Sequence, residues 1–572
     1  MRQLLIIAML LATLHVLAQH TVIEESLTEV VCENATHATT RYRQVVTILN
    51  EQGADNANFV CSCSKDERLT SFRGLATNAA GSTLRKFRQG DLQRTEYSQY
   101  LAIDDYKMFV TYTPPVYPVT ITYEWTMESR KTLIEFPWFC PQDDYGVSVR
   151  KAVYQLTAPR DITLRHALQN ISQQPVMTTD DKGRQVLTLT LNSLPALKKE
   201  PLSRPLRERL PMAYFAPQAF TYYGTKGSLA SWRDFGLWQY SLLKGRDVLP
   251  DPVKAELHSM TDTLTSARQK VEALYRYLEQ HTRYVAVLLG IGGLQPAPAS
   301  DVARSGFGDC KGLSNFMRAM LHEVGIAANY TVVSTRNRRL LSDFASVGQM
   351  NHVILQVPLP QDTLWLECTN PQLPLGFVHD DIADHDAVVV SAEGGRLMRL
   401  PAYADTANTV RNSISIALDA QGAADITAVQ AAPPKSVRAK VSIPERIQHY
   451  AALTGQRMFV PLCPIHQNYS APAMSGTRTE PLCIIAGFKD EDEVSITLPE
   501  GYRIEALPAD VAIEKPFGTF RLHVAEEDGR LVARYRMLVK SGTYDKALYA
   551  DFVAFIRSVA KAYAQKVVLY KG

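Results

Sequence analysis

Cys310 heads a run in which Leu313, Phe316, Met317, Met320, Leu321 and Val324 recur at helical spacing, so the pattern predicts a helix with one face turned inward and Gly325 ending it at positive φ. In a first helical turn, unpaired amides and the positive dipole end favour a thiolate over a thiol, which suits a nucleophile better than a structural cysteine. Such a nucleophile needs a base, and the base needs an orienting group. Asn351 to Val357 predicts a strand, Pro358 to Gln361 a loop, and Leu364 to Cys368 a second strand. With Val357 facing Asp362 across that hairpin, His352 stands opposite Glu367, and side chains so placed lie about 5 Å apart. The expected set is therefore Cys310 as nucleophile, His352 as base and Glu367 as orienter, the logic of thiol hydrolases and acyltransferases. Asn370 is a rival orienter. Gln295, in the turn Gly290 to Pro296, is a candidate to hold a developing oxyanion together with the Cys310 amide, against the alternative of an amide that only caps its loop.

These groups must be carried by a compact α+β core. A helix from Ser266 to about Gln280, with Val271, Leu274, Tyr275 and Leu278 on one face, is expected to dock beside the Cys310 helix. Upstream, Trp232, Phe235, Trp238 and Leu242 form an aromatic stripe from Ser231, read as core with a groove wall as the alternative. The turn at Gly290 lacks the Lys-Ser/Thr ending and Rossmann spacing of phosphate loops, so no nucleotide is expected. Arg336 to Arg339 reads as an exposed loop tip. His379-Asp380-Asp381 and Asp384-His385-Asp386 have a metal-like composition without a ligand frame, and are read as a solvated loop with no metal.

Taken together, Gly306-Phe307-Gly308-Asp309-Cys310-Lys311-Gly312-Leu313-Ser314, the helix end Val324-Gly325-Ile326, Asn351-His352 on a strand and Trp365-Leu366-Glu367-Cys368-Thr369 resemble the core of the transglutaminase-like superfamily. The chain is most similar to the secreted bacterial branch in which that core sits between two β domains of unassigned function. The resemblance implies a papain-like fold, with a nucleophile helix packed on an antiparallel sheet that carries the His and the acid. It is specific over about residues 265 to 400. The superfamily usually has Asp as third member, and Glu367 is one methylene longer.

The chain of 572 residues is too long for a single core, and 46% hydrophobic with 21% charged residues is ordinary for globular protein. A net charge of +3 points to neither nucleic acid nor a membrane surface as partner. Met1 to Ala18 has a basic start, an apolar run and small residues at its end, the pattern of a signal peptide cleaved after Ala18, so a secreted or periplasmic protein without a membrane anchor is expected. Period-2 patterns such as Val119 to Glu128 predict an N-terminal antiparallel, sandwich-like β domain over 19–200. The transglutaminase-like catalytic domain is expected over 201–404, and a C-terminal β-rich domain with accessory helices over 405–572. The basic, proline-bearing run from Lys198 to Arg209 reads as a solvated linker. Of eight cysteines, Cys463 and Cys483 flank a loop that a disulfide could close.

The functional expectation is a secreted cysteine peptidase or amidase working through a Cys310 thioester on a peptide or protein substrate, cell-wall or glycan-linked peptides included, with no cofactor. A protein-crosslinking transglutaminase and a non-catalytic binding scaffold are the alternatives.

Overall fold

The computed structural model of the chain describes residues 19–96, 102–379, 381–432, 442–465, 470–474 and 476–572. The expected signal peptide and Asp380 lie outside them. Strand makes up 44% and helix 18%, so the protein is mostly β, with an α+β core and N- and C-terminal β domains. It divides into two compact units, Met1–Lys198 with Leu206–Pro401, and Lys199–Pro205 with Ala402–Gly572.

In the first unit the alternating segments fold as one eight-stranded sheet. Its spatial order is Val176–Thr179, Gln185–Leu194, Val147–Ala158, Thr21–Asn34, His37–Ile48, Val119–Arg130, Glu67–Asn78 and Thr83–Arg88. Val119, Ile121 and Tyr123 are buried, as are Leu187, Leu189 and Leu191, which is the period-2 face predicted for them. Thr21–Asn34 runs parallel to Val147–Ala158, so the sheet is extended and mixed rather than purely antiparallel.

The core of the same unit holds a five-stranded antiparallel sheet in the order Asp362–Leu366, His352–Leu359, Asn329–Val333, Asp386–Ser391, Gly394–Arg399. Helices Ala267–His281 and Cys310–Glu323 pack on it. Val271, Leu274 and Leu278 of the first meet Leu313, Phe316, Met317 and Met320 of the second in one apolar cluster, which also takes in Leu355, Leu364 and Leu366 from the strands. The helix Trp232–Ser241 buries Trp232, Phe235 and Trp238 with Tyr214, Phe220 and Phe344, so the aromatic stripe is core. It lies so close to the sheet that a Cβ on Gly236 would stand 1.9 Å from the Gly395 nitrogen. Alanine normally stabilises a helix relative to glycine. Gly236→Ala is expected to do the reverse, lowering stability by about 1–3 kcal/mol because the clash is with backbone, and thermal unfolding reads it.

In the second unit, a seven-stranded sheet contains Thr409–Leu418 parallel to Phe488–Thr497 and is backed by the helix Leu548–Tyr563. Phe517, Phe520, Phe552 and Phe555 meet between them.

The linker reading of Lys198 to Arg209 is corrected. Glu200 is buried and accepts from the Thr479 amide (3.0 Å) and hydroxyl (2.7 Å) and from the Glu480 amide (3.2 Å), while Arg478 donates to the Pro201 and Leu202 carbonyls. Arg209 is buried too and donates to the Lys198 carbonyl at 3.2 Å. For Glu200 the donors come from far along the chain, invisible to local composition. Cys463 and Cys483 are both free thiols, with the Cys483 sulfur 3.4 Å from the Thr543 hydroxyl.

Candidate active site

The helix Cys310–Glu323 starts at Asp309, whose side chain caps it by accepting from the Gly312 amide at 2.8 Å. Leu313 makes the first intrahelical bond, to the Asp309 carbonyl, so the amides of Cys310 and Lys311 precede the ladder. Every residue from Cys310 to Leu321 is buried, so the helix is surrounded rather than one-faced. Its polar groups are held inside: Asn315 donates to the Arg246 carbonyl (2.7 Å), Ser314 to the Val353 carbonyl (3.3 Å), and Lys311 pairs with Asp309. The Cys310 side chain packs among Leu243, Tyr330, Val353 and Val390, which sets its height against the His352 strand.

The hairpin forms, with a register differing from the expected one by two residues. Leu359 rather than Val357 faces Asp362, Pro360 and Gln361 make the turn, and pairing ends at Leu355 with Leu366. An even shift keeps every side chain on its face. His352 and Glu367 therefore still meet, diagonally beyond the last paired residues, with Nε2 2.9 Å from Oε2. His352 Nε2 being occupied, its other nitrogen is the one left for the Cys310 thiol, which lies close enough to act on the ring. Burial disfavours charge on His352. The hydrogen bonds to Cys310 and Glu367 and the charges of those groups outweigh it and raise the imidazolium pKa from 6.5 to about 10.

Glu367 is almost completely buried, and its carboxylate is saturated with donors. Oε1 accepts from the Thr369 amide (3.0 Å) and hydroxyl (2.5 Å), and Oε2 accepts from His352 and from His379 Nε2 at 3.0 Å. Burial alone would raise its pKa, but the bonds from His352, His379 and Thr369 hold it far below the usual carboxylate range. The Tyr275 hydroxyl fixes the Glu367 carbonyl at 2.9 Å. Asn370 contributes to this turn through its backbone, its N–H meeting the Glu367 carbonyl at 3.4 Å and its carbonyl accepting from Leu373, and Glu367 is the group on the His352 ring.

A histidine pKa raised on folding contributes stability that is complete below about 6.5 and is lost as pH rises through about 10. Wild-type protein is therefore expected to lose thermal stability between these limits faster than His352→Leu, and denaturation scans across that range check it. Glu367, shifted the other way, contributes fully above its ordinary value near 4.5 and loses that contribution progressively as pH falls below it, completely only in strong acid.

Scanned against family models, residues 255–369 match the transglutaminase-like superfamily, and the flanks match two domains of unknown function, DUF3857 over 34–198 and DUF3858 over 456–569. The middle of the chain is thus a transglutaminase-like superfamily domain, flanked by the two others. No curated protein matches. The crystal structure of a "putative protease" from Parabacteroides distasonis superposes with a TM-score of 0.72 at 13% identity over 96% of this chain and 99% of that one, a likeness of fold. A "putative cysteine protease" from Cytophaga hutchinsonii (9% identity, 65% and 95% covered) and an M1 zinc metallopeptidase from Deinococcus radiodurans (11%, 34% and 42%) reach TM-scores of only 0.18 and 0.20.

Within the transglutaminase-like domain, Gln295 has partners of its own. Its amide donates to the Leu242 carbonyl (3.3 Å) and its oxygen accepts from Arg246 (2.6 Å), bonds that tie its loop to the segment after the aromatic helix. The loop reading is corrected for His379, Asp384, His385 and Asp386, while Asp381 is exposed as expected. His379 joins the site through Glu367, Asp384 takes Arg338 and Arg339, Asp386 takes the Leu340 amide and Arg399, and His385 meets the Ser334 carbonyl. Of the arginine run, Arg338 and Arg339 are likewise bound to Asp384, while Arg336 is exposed. Sequence reasoning missed His379 because no periodicity in the stretch after Thr369 brings it back to the sheet. It missed Tyr284 as well, which lies close enough to Cys310, Asp309 and Glu367 that, after burial, their charges push its hydroxyl up to about 12. His352, Glu367 and His379 have ligand atoms within 4.8 Å of one another and a composition that suits zinc. In this arrangement Oε2 faces both histidines and Oε1 faces the Thr369 amide and hydroxyl.

Proposed function

We propose that this transglutaminase-like protein is a thiol-dependent acyl-transfer enzyme, a cysteine peptidase or amidase. The observation that carries the reading is the His352 imidazole, held at 2.9 Å by a buried, donor-saturated Glu367 carboxylate and close enough to Cys310 for the thiol to act on it. His352 takes the proton of Cys310, the sulfur attacks the carbonyl carbon of an amide, and the Cys310 amide at the helix start donates to the oxyanion. The imidazolium then protonates the leaving amine. The thioester is released by water, whose proton His352 accepts, and an acid leaves with the thiol restored. Transfer to an amine in place of water would give crosslinking. We read the substrate as a peptide or protein, and the site of action as outside the cytoplasm, on the strength of the leader-like pattern before Gln19.

The test is incubation of the protein with a library of peptide amides, with and without an excess of a primary amine, followed by mass spectrometry of products and of Cys310. Hydrolysed peptide and a thioester on Cys310 support the peptidase reading. Amine-substituted peptide favours crosslinking, and neither product from any peptide contradicts both.

A further inference from the structure

We infer that His379 is a positioning residue, which locks Glu367 in the rotamer that orients His352 and makes the site a relay of four side chains. The inference rests on the proposed thiol mechanism and assigns a role to a group that mechanism does not use.

The argument starts from Glu367. A glutamate has three side-chain torsions, and the orienter here is one methylene longer than aspartate, so its carboxylate has more ways to miss the imidazole. It also lies beyond Leu366, the last residue of its strand, where no ladder bond fixes the backbone that carries it. Three local contacts compensate. Tyr275 holds the carbonyl and Thr369 grips Oε1 with two donors, but both act from the Glu367 turn or below it. Only His379 meets His352 on the same oxygen, Oε2, at 3.0 Å against 2.9 Å, with ring centroids 6.5 Å apart. Two N–H donors converging from different directions define where that oxygen sits. His379 is itself held, being mostly buried, with Nδ1 3.5 Å from an Asp381 carboxylate that is largely in water. The Glu367 contact is the shorter of the two, and because a carboxylate oxygen only accepts, Nε2 is the nitrogen that donates to it. A purely structural histidine could sit against any acceptor, whereas this one shares the atom through which the base is oriented.

The role predicts a specific pattern among substitutions. Glutamine places an N–H donor near the position of Nε2, whereas asparagine and alanine leave Oε2 with His352 alone. The experiment is the rate of Cys310 alkylation by iodoacetamide at one neutral pH, read by mass spectrometry on full-length protein with folding verified by thermal unfolding. We expect His379→Ala and His379→Asn to slow alkylation about tenfold and His379→Gln to stay within about twofold of wild type. Because His379 acts through Glu367, His379→Ala added to Glu367→Ala should slow it no further. If alanine fails to fold, the asparagine and glutamine pair decides. Equal rates for these two, or independent effects in the double variant, overturn the inference. His352→Ala run in parallel separates the two readings: if it leaves alkylation unchanged, the thiol mechanism falls and the relay with it, whereas a slow His352→Ala beside a normal His379→Asn rejects the relay alone.

Discussion

Cys310→Ser is expected to abolish turnover of any peptide amide while leaving the fold intact. The hydroxyl fits the volume of the thiol among Leu243, Tyr330 and Val353, and the Asp309 cap and the Asn315 and Ser314 anchors of the helix do not involve the sulfur. Oxygen is a far poorer nucleophile at neutral pH, and loss of a nucleophile from a triad costs on the order of 10⁶ in kcat. Thermal unfolding should move little, since the change is nearly isosteric. A variant that keeps appreciable turnover with an unchanged melting temperature would place the chemistry elsewhere.

Glu367→Ala should have the second-largest effect, and on two quantities at once. Glu367 is almost completely buried and is the common acceptor for His352, His379 and Thr369. Its removal leaves four donors without an acceptor beside a cavity, and breaking a buried pair in this way costs about 3–5 kcal/mol. The same change frees His352 to turn and removes the charge that helps to raise its pKa, so turnover should fall by about 10³-fold or more. Glu367→Gln separates the two. It fills the volume, so most of the stability should return, but it carries no charge, so turnover should stay low. Denaturant unfolding and peptide turnover on the three proteins check this, and equal turnover for wild type and glutamine variant would show that the charge is dispensable.

How much of this was legible in the sequence depends on the range of the interaction. The helix from Cys310 and the strand from His352 could be read because their patterns are local, and an even register error left His352 and Glu367 on one face. The same logic could not find His379, which reaches Glu367 through a loop with no periodicity, nor the burial of Glu200, whose donors come from Thr479 and Glu480. Composition misled where charges were dense. Arg338, Arg339, Asp384 and Asp386 look solvated in sequence, yet both arginines pair with Asp384, and Asp386 takes Arg399 and the Leu340 amide. Gln295 shows the converse limit: its amide type suits an oxyanion hole, and only the structure reveals the carbonyl and the guanidinium that engage it.

The most direct test of the central claim is the pH dependence of Cys310 alkylation in wild type and His352→Ala, followed by mass spectrometry over about pH 5 to 9. With His352 protonated up to about 10 beside the sulfur, wild-type Cys310 should stay reactive on the acid side of the range, where the alanine variant has already fallen away. Superimposed profiles, or a native Cys310 that no reagent labels, would contradict a thiol activated by His352.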